Sequence, residues 1–321
     1  LRYMRGFGRT TAPLATRETM RRAFSHLVLS DRMLDQLGPA LAAWHSLFIY
    51  GPPGNGKTVI SQAIRNMLGG DIAIPHALVV DGHIIRLFDP VNHQQLDLPE
   101  SATDSIERAE PVDERWVRCK RPVVTVGGEL TLEGLELGYN TMTGLYRAPV
   151  QVLANGGVLV IDDFGRQHVS PRDLLNRWII PLESGQDFLT LHTGQKFPLA
   201  FEALVVFATN LRPSDLVDEA FLRRIQYKVY AESPTVDEFA RIFENYCSLQ
   251  NLEFDRAMVN ALVETELRPR NVPLRGCHPR DLVDHALALA VYLKRPRKLS
   301  IELLSAACAT YFVDDHDVPA I

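Results

Sequence analysis

Short apolar runs of strand length punctuate the first two thirds of the chain. They read SLFIY at residues 46–50, ALVVD at 77–81, VLVI at 158–161 and LVVFATN at 204–210. Continuous apolar runs of this length predict strands buried on both faces, as in parallel sheets. QYKVYA at 226–231 predicts a last strand. Between these runs the period changes. Ile60, Ala63, Ile64, Met67 and Leu68 fall at i, i+3, i+4, i+7 and i+8, the apolar stripe of a helix. Helices are also predicted over 30–41, where Ser30 or Asp31 can cap the start, and over 171–180 and 215–224. From Thr235 onward the pattern is purely helical. Val236, Phe239, Ala240, Phe243 and Tyr246 share one face, and further helices fit about 255–266, 279–293 and 300–312.

Two hairpins are predicted. Residues 123–126 (VVTV) and 129–132 (ELTL) are β-prone runs joined by Gly127-Gly128, and 188–201 (FLTLHTGQKFPLAF) turns at Thr193-Gly194. The first lies in a long stretch, about 82–157, between strong strands. Structureless loops of that length are rare in compact domains, so the stretch reads as an insertion with structure of its own. The pattern therefore divides into an arginine-rich N-terminal arm (1–26), an α/β domain (27–231) and a smaller all-α domain (232–321). The arm carries Arg2, Arg5, Arg9, Arg17, Arg21 and Arg22, and such charge runs are expected to be solvated or to serve as interaction tails.

The chemistry concentrates between the first strand and the first helical stripe. Gly51, Pro52, Pro53, Gly54, Asn55, Gly56, Lys57 and Thr58 spell GPPGNGKT, a complete GxxxxGK[ST] phosphate-binding loop in the strand–loop–helix setting that motif requires. Glycines let the backbone turn its N–H groups around an anion, and the helix start behind adds positive potential. Lys57 is expected to reach the β- and γ-phosphates and the Thr58 hydroxyl to ligate Mg²⁺. About a hundred residues on, VLVI ends in Asp162 and Asp163. Strand ends in open α/β sheets are where ligands bind. Asp162 suits the Mg²⁺ environment and Asp163 the polarising of an attacking water.

Composition narrows the class without changing it. At 321 residues, 46% apolar and 23% charged, the chain has ordinary globular values and room for a substantial core. A net charge of −5 offers no global attraction to nucleic acid or anionic membranes. Cys119, Cys247, Cys277 and Cys308 have no CxxC spacing and read as reduced, mostly core thiols. The ten histidines show no HExxH spacing, which argues against a zinc enzyme. No apolar run is long enough to span a membrane and no signal peptide is evident, so a cytoplasmic protein without membrane insertion is expected. The chain starts at Leu1 without methionine, and a preceding or processed segment is expected.

With these pieces in order, the chain resembles an AAA+ ATPase from about Leu27 to Asp314. GPPGNGKT matches the family's Walker A loop, VLVIDD its Walker B strand, and VVFATN, ending in Asn210, its sensor 1 strand. AFLRRIQY carries Arg223 and Arg224 where the family places its arginine finger, and His278-Pro279-Arg280-Asp281 opens a helix as the sensor 2 arginine does, suggesting Arg280. The resemblance implies a P-loop parallel-sheet sandwich with a C-terminal helical lid. It also implies ATP and Mg²⁺ as ligands and a homo-oligomeric, commonly hexameric, ring. A hairpin before the sensor 1 strand and an insertion before Walker B are similar to those of pre-sensor-1 hairpin, helix-2-insert members. Ala154-Asn155-Gly156-Gly157 resembles a turn in MoxR-like and NtrC-like proteins. The GAFTGA loop of NtrC-type activators is not reproduced; the nearest string runs from Gly138 to Gly144. One departure stands out: the family's usual glutamate after the Walker B aspartate is here Asp163, one methylene shorter.

The resemblance implies ATP hydrolysis that remodels or assembles a protein client, as MoxR-like chaperone ATPases do. The alternatives are a nucleic-acid-linked motor or regulator and a weakly hydrolysing nucleotide switch. An exposed aromatic near Tyr139 or Tyr146 would suit a protein client. A basic rim of Arg118, Lys120 and Arg121 would suit nucleic acid.

Overall fold

The computed structural model describes residues 15–97, 113–216 and 219–312. The first fourteen residues of the expected arm lie outside that range. Its described part is a helix, Arg17–Ala23, opened by a capping box in which the Thr16 side chain accepts from the Thr19 N–H. Met20 and Phe24 are buried, so this part is packed rather than solvated. A second helix, Asp31–Ala42, follows, and Arg17 and Arg21 reach its Asp35 and Asp31.

The strands, in chain order, are β1 (Leu47–Tyr50), β2 (Asp71–Pro75), β3 (Ala77–Val80), β4 (His83–Arg86), β5 (Trp116–Lys120), β6 (Val123–Val126), β7 (Gly138–Asn140), β8 (Leu145–Arg147), β9 (Val158–Ile161), β10 (Gln186–Thr190), β11 (Lys196–Ala200), β12 (Leu204–Thr209) and β13 (Tyr227–Tyr230). Five of them form one sheet in the order β13-β1-β12-β9-β6, every neighbouring pair parallel. Its central strands bury every residue of VLVI and LVVFAT. The unbroken apolar runs follow from that: side chains leave a strand on alternate faces, and both faces here are covered.

The structure corrects two expectations. Residues 123–126 do not form a hairpin with 129–132. They are β6, paired in parallel with β9, and the Gly127-Gly128 pair instead opens a turn in which Glu129 accepts from the Gly127 N–H. The insertion about 82–157 is thereby interrupted by a strand of the main sheet. ALVVD is a strand but not a buried one. Val79 is 71% exposed, and β3 pairs antiparallel with β4 in a separate sheet ordered β3-β4-β8-β7. The cause lies in the next two residues, Asp81 and Gly82, at φ +48° and +80°, the conformation that tight hairpin turns demand. On either side of residues 217–218, which lie outside the described range, the stretch expected to be helical is helical, at Pro213–Leu216 and Glu219–Leu222.

The hairpin β10–β11 forms as expected, with Gly194 at φ +85°. Its tip is joined to the smaller sheet: His192 stacks on Tyr139 at a ring distance of 4.1 Å, and the Tyr146 hydroxyl is hydrogen-bonded to His192 Nδ1. At its base Asp187, almost fully buried, binds Arg177 (2.6 Å) and Gln151 (3.0 Å). The Asn155-Gly156-Gly157 turn has a structural role. Asn155 ties the Ala200 carbonyl and the Glu202 N–H, and a Cβ at Gly157 would lie 2.0 Å from the Pro122 oxygen.

The chain folds as two compact units. The second comprises 25–30, 51–57 and 231–312, and the first is the remainder of the described residues. The second unit's helices are Val236–Leu249, Arg256–Leu262 (continued by a π turn, Val263–Leu267), His278–Tyr292 and Ile301–Tyr311. Thr235 and Glu238 form a reciprocal capping box at the first of these. Phe239, Phe243, Leu262, Leu282, Ala286, Leu304 and Cys308 fill the core, each large apolar side chain there contributing about 1.5–3 kcal/mol over exposure. Among the described residues no helix is long and apolar enough to cross a membrane, and no cluster of His, Cys, Asp or Glu could hold a metal ion.

Candidate functional site

The phosphate loop is built from main-chain interactions. Gly51, Gly54 and Gly56 have φ of +144°, +79° and +73°, values that L side chains rarely adopt. Gly51 and Gly54 have a second reason to lack a side chain. A Cβ at Gly51 would lie 2.6 Å from the Ala231 oxygen, and one at Gly54 2.6 Å from Cys277 Sγ. Asn55 donates to the Ala231 carbonyl at 3.1 Å, while its own Oδ1 is buried without a partner among the described residues.

Lys57 is 7% exposed, and its Nζ donates to the carbonyls of Gly51 (3.0 Å) and Pro52 (2.8 Å). These carbonyls belong to the two peptide units whose nitrogens are prolines, Pro52 and Pro53, which have no N–H. The donors begin at Gly54. The N–H groups of Gly54, Asn55 and Gly56 meet no protein acceptor among the described residues. Consecutive unspent N–H groups on a backbone that alternates its handedness make a concavity for an anion. The residues present therefore fit a polyphosphate.

The strand-end carboxylates are organised side chain to side chain. Thr58 Oγ1 donates to Asp162 Oδ2 at 2.6 Å, across 104 residues of sequence. Asn210 Nδ2, one residue past β12, donates to Asp163 Oδ1 at 3.1 Å. Asp162 also accepts from the Asp163 N–H at 3.0 Å. Asp163 itself has φ +48°, the left-handed region, where aspartate is among the better tolerated residues after glycine and asparagine. Gln167 holds this turn, donating to the Asp162 carbonyl and accepting from the Gly165 N–H. The hydroxyl–carboxylate pair of Thr58 and Asp162 is a hard-oxygen set of the kind Mg²⁺ takes.

Among the described residues, the three arginines singled out in the sequence pair with nearby acids. Arg223 pairs with Glu219 one turn away, and both side chains are well exposed. Arg224 pairs with Glu183. Arg280 pairs with its neighbour Asp281, with 62% of its side chain exposed. Two residues without a sequence motif do touch the loop. Arg275 Nη1 donates to the Pro53 carbonyl at 2.9 Å, and the Cys277 N–H to the Gly54 carbonyl at 2.9 Å. Of the two aromatics considered for a client, Tyr139 is 37% exposed and Tyr146 is buried. Of the three residues considered for a basic rim, Arg121 is buried against the Gly69 and Gly156 carbonyls, Arg118 is paired with Asp71, and Lys120 is exposed.

Residues 235–310 match a family model described as a domain of unknown function, DUF8689. No curated protein matches the chain. Among solved structures, a point mutant of RuvB from Thermotoga maritima is similar at TM-score 0.52 and 13% identity, covering 94% of this chain and 76% of that one. NtrX from Brucella abortus is similar at TM-score 0.52 and 15% identity, covering 92% of this chain and 59% of that one. A structure of NtrX in complex with ATP gives TM-score 0.50 and 15% identity, covering 94% of this chain and 57% of that one. The parallel-sheet core and the C-terminal helical region have the AAA+ P-loop fold.

Proposed function

We propose that the chain is an ATP-hydrolysing AAA+ ATPase that works as a homo-oligomeric ring, hexameric as is common in the family, and remodels or assembles a protein client. The observation that carries the enzymatic part is the pair of side-chain bonds at the strand ends, Thr58 to Asp162 and Asn210 to Asp163. Chance would not pair four residues whose types and positions in the sequence all point to one reaction. The loop's N–H groups and Lys57 bind the phosphates. Mg²⁺, held by Thr58 and Asp162, would neutralise phosphate charge. Asp163 accepts the proton of the attacking water, and Asn210 fixes the carboxylate that does so. Arg223 or Arg224 reaches the site of the next copy, and Arg280 reports nucleotide state. The protein-client reading is supported by the β7–β8 hairpin, where Met142 is 94% exposed beside the part-exposed Tyr139, and by the burial of Arg121.

The test is a calorimetric titration with ATP. The parent binds, and Lys57→Ala binds at least about tenfold more weakly, since hydrogen bonds to charged groups contribute about 1.5–3 kcal/mol. Equal affinity in the two proteins would show that the loop is not a nucleotide site.

A further inference from the structure

We infer that Arg275-Gly276-Cys277 is a bracket that sets the shape of the phosphate loop, and that Arg275 is a positioning residue for nucleotide binding. This rests on the reading of the loop as a nucleotide site. In a trans peptide the C=O of one residue and the N–H of the next point in opposite directions. Arg275 holds the Pro53 carbonyl and the Cys277 N–H holds the Gly54 carbonyl. The N–H groups turned away from the bracket are therefore those of Gly54 and Asn55, the first two donors the loop possesses after its prolines. Lys57 treats the preceding two peptides in the same way, but those have no N–H to aim.

The bracket also fits tightly. The Arg275 Cδ would lie 3.4 Å from a Cβ at Gly54, and a Cβ at Gly276 would lie 3.3 Å from the Gly54 oxygen. Glycine at 276 thus keeps the segment close enough for the Cys277 bond, and its φ lies outside the left-handed region, so alanine tests closeness alone. Arg275 uses one N–H on the loop. A guanidinium has five in a rigid fork and holds a carbonyl in one direction, whereas a lysine ammonium rotates.

The experiment compares ADP affinity and steady-state ATP hydrolysis for the parent, Arg275→Ala, Arg275→Lys and Gly276→Ala. Removing the bracket bond should weaken ADP binding about tenfold and raise KM similarly, with kcat within about threefold of the parent because the water-handling groups are untouched. Arg275→Lys should recover only part of the loss, and Gly276→Ala should weaken binding with no change of charge. Full recovery with lysine and parent-like binding by Gly276→Ala would overturn the bracket and leave Arg275 a simple counter-charge. A fall in kcat with unchanged ADP affinity would also overturn it. If Arg275→Ala does not fold, Gly276→Ala decides alone. Failure of the nucleotide-site reading looks different: the parent itself would bind ADP no better than Lys57→Ala.

Discussion

The phosphate loop and the strand-end carboxylates are organised by opposite means. The loop is held through its carbonyls, by Lys57, Arg275 and the Cys277 N–H, and its side chains matter chiefly where none can be present. The carboxylates are held through side chains, by Thr58 and Asn210. A backbone cradle recognises phosphate whatever its neighbours' identities, provided the turn is kept. A side-chain pair fixes one carboxylate in one direction, which general-base chemistry needs. The first region should therefore fail in binding and the second in turnover.

The largest expected effect breaks the comparison, because it comes from two arginines that belong to neither region. Arg223 sits in an exposed pair with Glu219, and such pairs are worth about 0–1 kcal/mol, so Arg223 can leave it at little cost. The double change Arg223→Ala with Arg224→Ala should lower kcat by ~10³ or more, the scale of an arginine finger. Arg223→Ala alone should account for most of the loss. Activity per subunit should rise with protein concentration, and adding the double mutant to Lys57→Ala should restore part of it. Full-rate hydrolysis by dilute monomers would remove the shared-site proposal.

Next in size is Asn210→Ala. Freeing the Asp163 carboxylate should cut kcat about tenfold, the scale of one hydrogen bond to a charged group, with ADP affinity unchanged. Loss of affinity instead would blur the division between the two regions. A smaller effect is expected from Asp163→Glu. Residue 163 lies at φ +48°, and glutamate is less at ease there than aspartate, so kcat should fall a few-fold. A rise would mean that the shorter carboxylate had been limiting.

The smallest concerns acidity near the bracket. His278 is buried, and burial, reinforced by Arg275, pushes its pKa down to about 4. Because the folded pKa lies below the unfolded 6.5, stability is complete above pH 6.5 and is lost as pH falls towards 4. The loss is about 3 kcal/mol at most by linkage. Melting curves should show that slope, and His278→Asn should flatten it. An unchanged slope would assign the acid sensitivity to other groups.

Much of this arrangement is legible in the sequence because burial writes itself there. The runs of β1, β9 and β12 are apolar throughout since both faces of the sheet are covered, and GPPGNGKT states its own geometry. The edge strand β6 misleads because VVTV followed by two glycines satisfies a hairpin pattern as well as a parallel strand that stops. At β3 the Asp81-Gly82 signal outweighs the apolar run. Arg275 and Cys277 carry no motif. Their role depends on a tertiary approach to two carbonyls more than 220 residues upstream, and no local pattern encodes that.

The most direct measurement pairs calorimetry and phosphate release on one variant, Asp163→Asn. The change leaves every loop donor in place and removes the acceptor for the water's proton, so ATP affinity should stay within about threefold while turnover falls by ~10² or more. Turnover within a few-fold of the parent would contradict the assignment of hydrolysis to the β9 strand end.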